Sequence, residues 1–150
     1  MKILDMEQGS AGWLEVRRGI PTASQFHRIL TPAKLDFSSQ SDKYIEELLA
    51  ERFSRPFDES DGPITSFMAR GNDLEPMARS FYEFTHDAQV QQVGFVTTDD
   101  GLFGCSPDGL VLPEPFVRGL EIKCPDMKKH VHNARSMDQA IGGEYRLQVQ

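Results

Sequence analysis

Two short segments of this sequence hold side chains that could act on one substrate: Ser106-Pro107-Asp108-Gly109 and Leu120-Glu121-Ile122-Lys123-Cys124-Pro125. Read as a strand, the second alternates faces, so Glu121 and Lys123 point one way and Ile122 points into a core. A carboxylate and an ammonium side by side on an otherwise apolar strand are costly to bury without a use. Asp108, at the end of the preceding hairpin segment, can meet Glu121 across the sheet. With the Ile122 carbonyl, the two carboxylates form an all-oxygen donor set that suits Mg²⁺, with Mn²⁺ as its substitute, and not zinc. A divalent ion there polarises a phosphoryl oxygen and activates a water, while Lys123 orients that water and stabilises developing charge. The expected reaction is in-line hydrolysis of a phosphodiester.

Neither segment is specific alone. With 11 Glu and 6 Lys in the chain, E-x-K arises by chance about once in two sequences of this length, and P-D-G is usually a turn. The combination carries the weight: P-D ahead of a strand, a short spacing, and E-x-K in an apolar run closed by proline. The competing reading is a structural turn plus a surface ion pair.

The elements that position these residues follow from periodicity. Ser10 to Arg18 reads as a helix capped by Ser10 and stopped by Gly19, with Trp13 and Val16 on one face. A second helix opens at Thr22 with the capping box T-x-x-Q and runs through Phe26, Ile29 and Leu30 to Pro32. Tyr44, Ile45, Leu48 and Leu49 mark a helix from about Ser41 to Phe53, followed by a loop over Ser54 to Gly62. Another helix covers roughly Pro76 to Phe84, with Met77, Phe81 and Phe84 on one side; its continuity with residues 67 to 75 stays open. Gln89 to Thr98 then reads as strand, Asp100-Gly101 as a hairpin turn, and Leu102 to Cys105 as a short strand. Pro107-Asp108-Gly109 turns the chain before Leu110, Val111 and Leu112. Val117 to Cys124 is the last strand, and the tail is helical from about Ser136. Helices, a hairpin-built sheet, then helices again make an α+β (α/β layered) domain with a mixed central sheet flanked by helices.

A chain of 150 residues has room for one domain, residues 1–150. It is 39% hydrophobic and 26% charged, ordinary values for a globular protein. No apolar run approaches the ~20 residues of a membrane span, the N-terminus is not a signal peptide, and the two cysteines form no disulfide framework. A reduced, cytoplasmic protein is expected. The net charge of −7 argues mildly against nucleic-acid binding, but basic residues cluster at Arg17-Arg18, at Arg28 and Lys34, and at Lys128-Lys129-His130. No capping residue closes the helix carrying Tyr145, Leu147 and Val149, so the chain is expected to continue past residue 150.

Five collinear pieces resemble the phage lambda exonuclease family, the YqaJ-type viral recombinases of the PD-(D/E)xK nucleases. They are Glu7 to Ser24, Arg70 to Phe84, Cys105 to Leu110, Leu120 to Pro125 and Tyr145 to Gln150. The resemblance implies a restriction-endonuclease-like core and a Mg²⁺-dependent exonuclease. That enzyme degrades one strand of linear duplex DNA from 5′-phosphorylated ends, 5′ to 3′, in phage-type recombination by single-strand annealing. It makes Asp108, Glu121 and the Ile122 carbonyl metal ligands, and Lys123 the water-activating lysine. Glu75 becomes a further carboxylate of the site and Gln148 a glutamine lining it. Arg17, Ser24 and Ser106 form a 5′-phosphate pocket, and Met68 is a wedge at the terminal base pair. A homotrimeric ring on double-stranded DNA ends, an annealing-protein partner and a bacterial host cytoplasm in a phage or prophage context are also implied.

The residues offer independent support and rivals. Ser24, about the second residue of a helix capped by Thr22, lies where free N–H groups favour an anion, and Arg17 offers a bidentate fork. The rivals are a capping hydroxyl for Ser24, a surface charge for Arg17, a dipole-favoured carboxylate for Glu75, an exposed glutamine for Gln148 and a core methionine for Met68. His130-x-His132 reads as surface rather than a metal site. Cys105 and Cys124 read as small buried hydrophobes, Trp13 as a core anchor, and Phe81, Tyr82 and Phe84 as core. Two other function classes stay open: a metal-dependent endonuclease of the same superfamily and a catalytically silent DNA-end-binding module.

Overall fold

Ser10 does cap the first helix. Its Oγ accepts the Trp13 N–H at 3.2 Å, α1 spans Ala11–Arg17, and Gly19 follows at φ +65°, a conformation glycine adopts at no steric cost. In the computed structural model the described residues are 1–54, 66–112, 117–135 and 143–149, with 66–72, 143 and 144 as backbone alone. The chain divides into two compact units, described separately below.

The first unit comprises Met1–Glu59, Val93–Ser106 and Ile141–Gln150. Its three-stranded antiparallel sheet runs β1 (Lys2–Leu4), β3 (Phe95–Thr97), β4 (Gly104–Cys105). The β3–β4 turn contains Asp100 and Gly101, the latter at φ +72°, as the Asp-Gly pair predicts. Phe95 is fully buried and its ring lies where a Cβ on Gly104 would stand, 2.2 Å away. The segment after Pro21 departs from expectation. It is a 3-10 helix over Ala23–Arg28, and Thr22 makes no side-chain cap bond. The Thr22 N–H instead meets the Tyr44 hydroxyl at 3.3 Å, so the capping box does not form. α2 (Ser41–Phe53) has the expected limits and buries Tyr44, while Ile45 and Leu49 face outward. The last helix, α5 (Gly143–Gln148), packs against the 3-10 helix and buries Leu147.

The second unit comprises Ser60–Gln92 and Pro107–Ala140. Its sheet, also antiparallel and three-stranded, runs β2 (Val90–Gln91), β5 (Gly109–Val111), β6 (Arg118–Leu120). The class is α+β; the parallel component of the described strands is one bridge, Thr22 to Gly104 in the first unit. Gly109 belongs to β5 rather than to a turn, and a Cβ there would stand 2.2 Å from Val90 Cγ1. Close strand packing, not chain reversal, requires that glycine. α3 (Ser66–His86) is a single helix with Pro76 inside it, which decides the continuity with residues 67 to 75 that the sequence left open. Its facing is the reverse of the apolar pattern. Met77, Phe81 and Phe84 are 71%, 71% and 87% exposed, so they are not core. α4 (Met127–Arg135) precedes the expected tail helix and is capped by Asp126, whose Oδ1 accepts the Lys129 N–H at 2.7 Å. Among the described residues no helix is long and apolar enough to cross a membrane.

Candidate active site

The β5–β6 ladder places the acidic residues. Gly109 pairs with Leu120 and Leu110 with Gly119, and buried Leu110 and Val111 fix that register against the core. One residue before the ladder, the Asp108 N–H reaches the Leu120 carbonyl at 3.0 Å. The Asp108 carboxylate in turn accepts the Ile122 N–H on Oδ2. β6 ends at Leu120, so Glu121 and Lys123 lie just past the regular strand, yet they share a side as alternation predicts. Lys123 Nζ contacts Glu121 Oε1 at 2.5 Å.

Asp108 is half-buried among like charges. Burial, followed by repulsion from Glu121 and Glu75, pushes its carboxyl up to about 6, against the opposing effects of the Ile122 amide and Lys123. A divalent cation relieves that kind of crowding, and the available donors are hard oxygens, as Mg²⁺ and Mn²⁺ prefer. The donor set therefore fits such an ion. Carboxylates alone do not complete it: among the described residues no group of three His, Cys, Asp or Glu side chains is gathered to hold a metal.

The shifted carboxyl has a measurable consequence for the metal-free protein. The folded form holds the Asp108 proton more tightly than the unfolded chain does, so between pH 7 and about 4 this residue adds stability as pH falls. Urea melts in chelator are expected to show wild type gaining on Asp108→Asn across that window. A difference that stays flat with pH would contradict the assignment. Glu47, Asp99 and Asp100, all held down by hydrogen bonds, act in the opposite sense in both proteins, which is why the comparison is made against the variant.

Sequence reasoning missed Arg79. It is buried, its Nε–H donates to the Asp108 carbonyl at 3.3 Å, and its two Nη groups reach the Gln92 side-chain oxygen at 3.0 and 3.1 Å. One turn further along, Glu83 Oε1 accepts the Val90 N–H at 2.8 Å. Glu75, Arg79 and Glu83 recur every fourth residue, so α3 turns a charged stripe toward the sheet and holds β2 and Asp108 with it. That spacing was the available signal.

In the first unit Arg17 stacks on Trp13, its guanidinium carbon 3.8 Å from the ring centroid. The Trp13 indole N–H donates to Ser106 Oγ and to the Gly94 carbonyl, each at 3.0 Å. Trp13 is thus no simple core anchor: it joins Arg17 to Ser106. Arg17 lines a cavity of about 310 Å³ with Arg18, Thr22, Arg28 and Glu51, among others. Arg28 is held by Glu47 at 2.7 and 2.9 Å, and Arg18 by Glu15 at 3.2 Å. Arg17 Nε, by contrast, is buried with no hydrogen-bond partner among the described residues. Burial pushes the Arg17 guanidinium below its ordinary value, with Tyr44 and Glu51 opposing. Ser24 is exposed, its Oγ 3.4 Å from Thr22 Oγ1. Neither Ser24 nor Ser106 lines the cavity itself, and a six-residue 3-10 helix offers Ser24 little of the dipole expected for it.

The structure thus gathers Asp108, Glu121, Lys123 and Glu75 in one unit, and Arg17, Ser24, Ser106 and Gln148 in the other. Gln148 is the half-buried last residue of α5. Met68 lies on α3, with its side chain outside the described residues. Cys105 and Cys124 are half-buried thiols rather than core residues. His130 and His132 are exposed on α4, where residues two apart face in different directions and do not chelate.

The backbone is similar to that of an alkaline exonuclease, LHK-Exo, from Laribacter hongkongensis, with 30% identity and a TM-score of 0.71. The same enzyme in complex with dAMP gives 29% and 0.72. Each match covers 93% of this chain, which spans 64% and 65% of the two solved chains. No curated protein matches. Residues 12–150 match the YqaJ-like viral recombinase domain, and the chain belongs to that family.

Proposed function

We propose that this chain is the nuclease domain of a Mg²⁺-dependent exonuclease that degrades one strand of linear duplex DNA, 5′ to 3′, from 5′-phosphorylated ends. The observation that carries the reading is the convergence of Asp108, Glu121 and Lys123 at the end of β6. The alkaline exonuclease relatives and the recombinase family support it.

Asp108, Glu121 and the Ile122 carbonyl would hold Mg²⁺ or Mn²⁺. When bound, the ion polarises the phosphoryl oxygen and lowers the pKa of water. Lys123 orients the attacking water and stabilises charge that develops on it. The water oxygen bonds to phosphorus, the P–O3′ bond breaks, and the next nucleotide keeps a 5′-phosphate. Each turnover therefore regenerates the end group that Arg17, Ser24 and Ser106 would hold, and releases a nucleoside monophosphate. The dAMP bound to LHK-Exo belongs to that product class. Glu75 and Gln148 would complete the polar lining, and Met68 would part the terminal base pair. A homotrimeric ring, an annealing-protein partner and a bacterial cytoplasmic setting complete the proposal.

A nuclease assay tests this directly. Linear duplex with 5′-phosphate is expected to lose nucleotides in Mg²⁺ and none in chelator, while covalently closed circles stay intact. Cutting of closed circles would point to an endonuclease instead. Arg17→Ala is expected to remove the preference for 5′-phosphate over 5′-hydroxyl ends, an effect of about tenfold or more for a charge-assisted phosphate contact. An unchanged ratio would place the pocket elsewhere.

A further inference from the structure

The nine residues of α4 hold three cations, two histidines and no acidic side chain, in a chain whose net charge is −7. Lys128, Val131, His132 and Arg135 fall at helical spacing on one face and line a concavity of about 470 Å³. All four are exposed. Among the described residues Lys128, His132 and Arg135 form no ion pair.

Helix stability accounts for only part of this face. His132 and Arg135 sit near the C-terminus, where the dipole favours cations. Lys128 and Lys129 sit in the first turn, where the dipole disfavours them by about 0.3–1 kcal/mol each. Lys128 thus stands at the unfavourable end without an ion pair among the described residues, while Asp126 is engaged as the helix cap, and such a face matches an anion supplied from outside.

Connectivity restricts where that anion comes from. Lys123 and Lys128 are five residues apart, so their Cα atoms lie within roughly 18 Å, and both belong to the second unit. A duplex carries one phosphate charge per about 1.7 Å of its axis. A phosphodiester held at Lys123 therefore brings further phosphates within reach of α4.

We infer that the Lys128–His132–Arg135 face of α4 grips the phosphate backbone of the DNA being cut. It is a sequence-independent hold beside the reactive residues. The inference rests on the nuclease reading of Asp108, Glu121 and Lys123.

The test is binding of the full chain to a fluorescent linear duplex, followed by anisotropy in chelator between 50 and 200 mM salt. Lys128→Gln with Arg135→Gln is expected to weaken binding about tenfold and to lower the log–log salt slope by roughly 1.8, two phosphates' worth. Each single variant lowers the slope by about half that. Lys34→Ala with Lys43→Ala, on the other unit, changes neither. Affinity and slope equal to wild type in the α4 variants overturn the inference, including the case in which an acidic protein occupies the face. Nuclease activity of the wild type separates the two failures. If it degrades linear duplex while the α4 variants bind as it does, only the α4 assignment falls. If the wild type neither binds nor degrades duplex, the nuclease reading falls and takes this inference with it.

Discussion

Lys123→Ala is expected to slow nucleotide release from 5′-phosphorylated linear duplex by about a thousandfold, the scale of losing one preorganised charge at a reacting centre, while the protein stays folded. The ammonium contacts Glu121 Oε1 from a side chain that is 41% exposed, and such an ion pair contributes little to stability. Asp108→Asn, whose amide oxygen can still accept the Ile122 N–H, is expected to be equally inactive and, in chelator at pH 7, no less stable than wild type. The wild-type carboxylate is held in the folded state against burial and two like charges, so removing it relieves a cost. That pairing of lost turnover with retained stability marks a residue kept for chemistry rather than for folding. Turnover, circular-dichroism melts and DNA anisotropy measure the three quantities. Turnover within threefold of wild type in either variant would exclude that residue from the site.

The parts of this site that were legible in the sequence depend on short-range geometry. Alternation along an extended chain put Glu121 and Lys123 on one side, and the Nζ–Oε1 contact bears that out. Hairpin spacing brought Asp108 to the end of β6 through the Gly109–Leu120 pairing. Helices with a clear cap or a regular apolar period, α1 and α2, were legible almost to the residue.

What failed to read has physical causes. α4 carries Met127 and Val131 as its larger apolar residues, too few for an apolar period to register, and only the Asp126 cap betrays it. Thr22 is spatially committed elsewhere, since its N–H meets Tyr44, twenty-two residues away, and local capping rules cannot anticipate that. α3 misled most. A stripe of Met77, Phe81 and Phe84 ordinarily faces a core, yet here the inward side carries buried Arg79 with Glu75 and Glu83 half-buried beside it. A helix that must hold a backbone carbonyl, a strand N–H and a crowded carboxylate needs polar groups inward, and local patterning then conflicts with global structure, as it often does near a site.

Arg79→Met is expected to show that this inward stripe positions the site. Methionine keeps much of the volume but donates nothing, leaving the Asp108 carbonyl and the Gln92 oxygen without their donor. Gln92 is exposed and its amide can turn to water, so the cost falls on the part-buried Asp108 carbonyl, about 1–3 kcal/mol. Relief from burying an arginine charge offsets part of this, and a net loss of roughly 1 kcal/mol is expected. Turnover should fall about a hundredfold, the scale set by an ångström of misplacement at a reacting group. Lost stability alone does not predict how metal demand changes. If Arg79 sets where the Asp108 backbone lies, the Mg²⁺ concentration for half-maximal turnover rises in Arg79→Met, and Arg79→Lys restores part of it. Val96→Ala, a core truncation in the other unit, loses comparable stability with its Mg²⁺ dependence intact. The same half-saturating Mg²⁺ in Arg79→Met and Val96→Ala would reduce Arg79 to a packing residue.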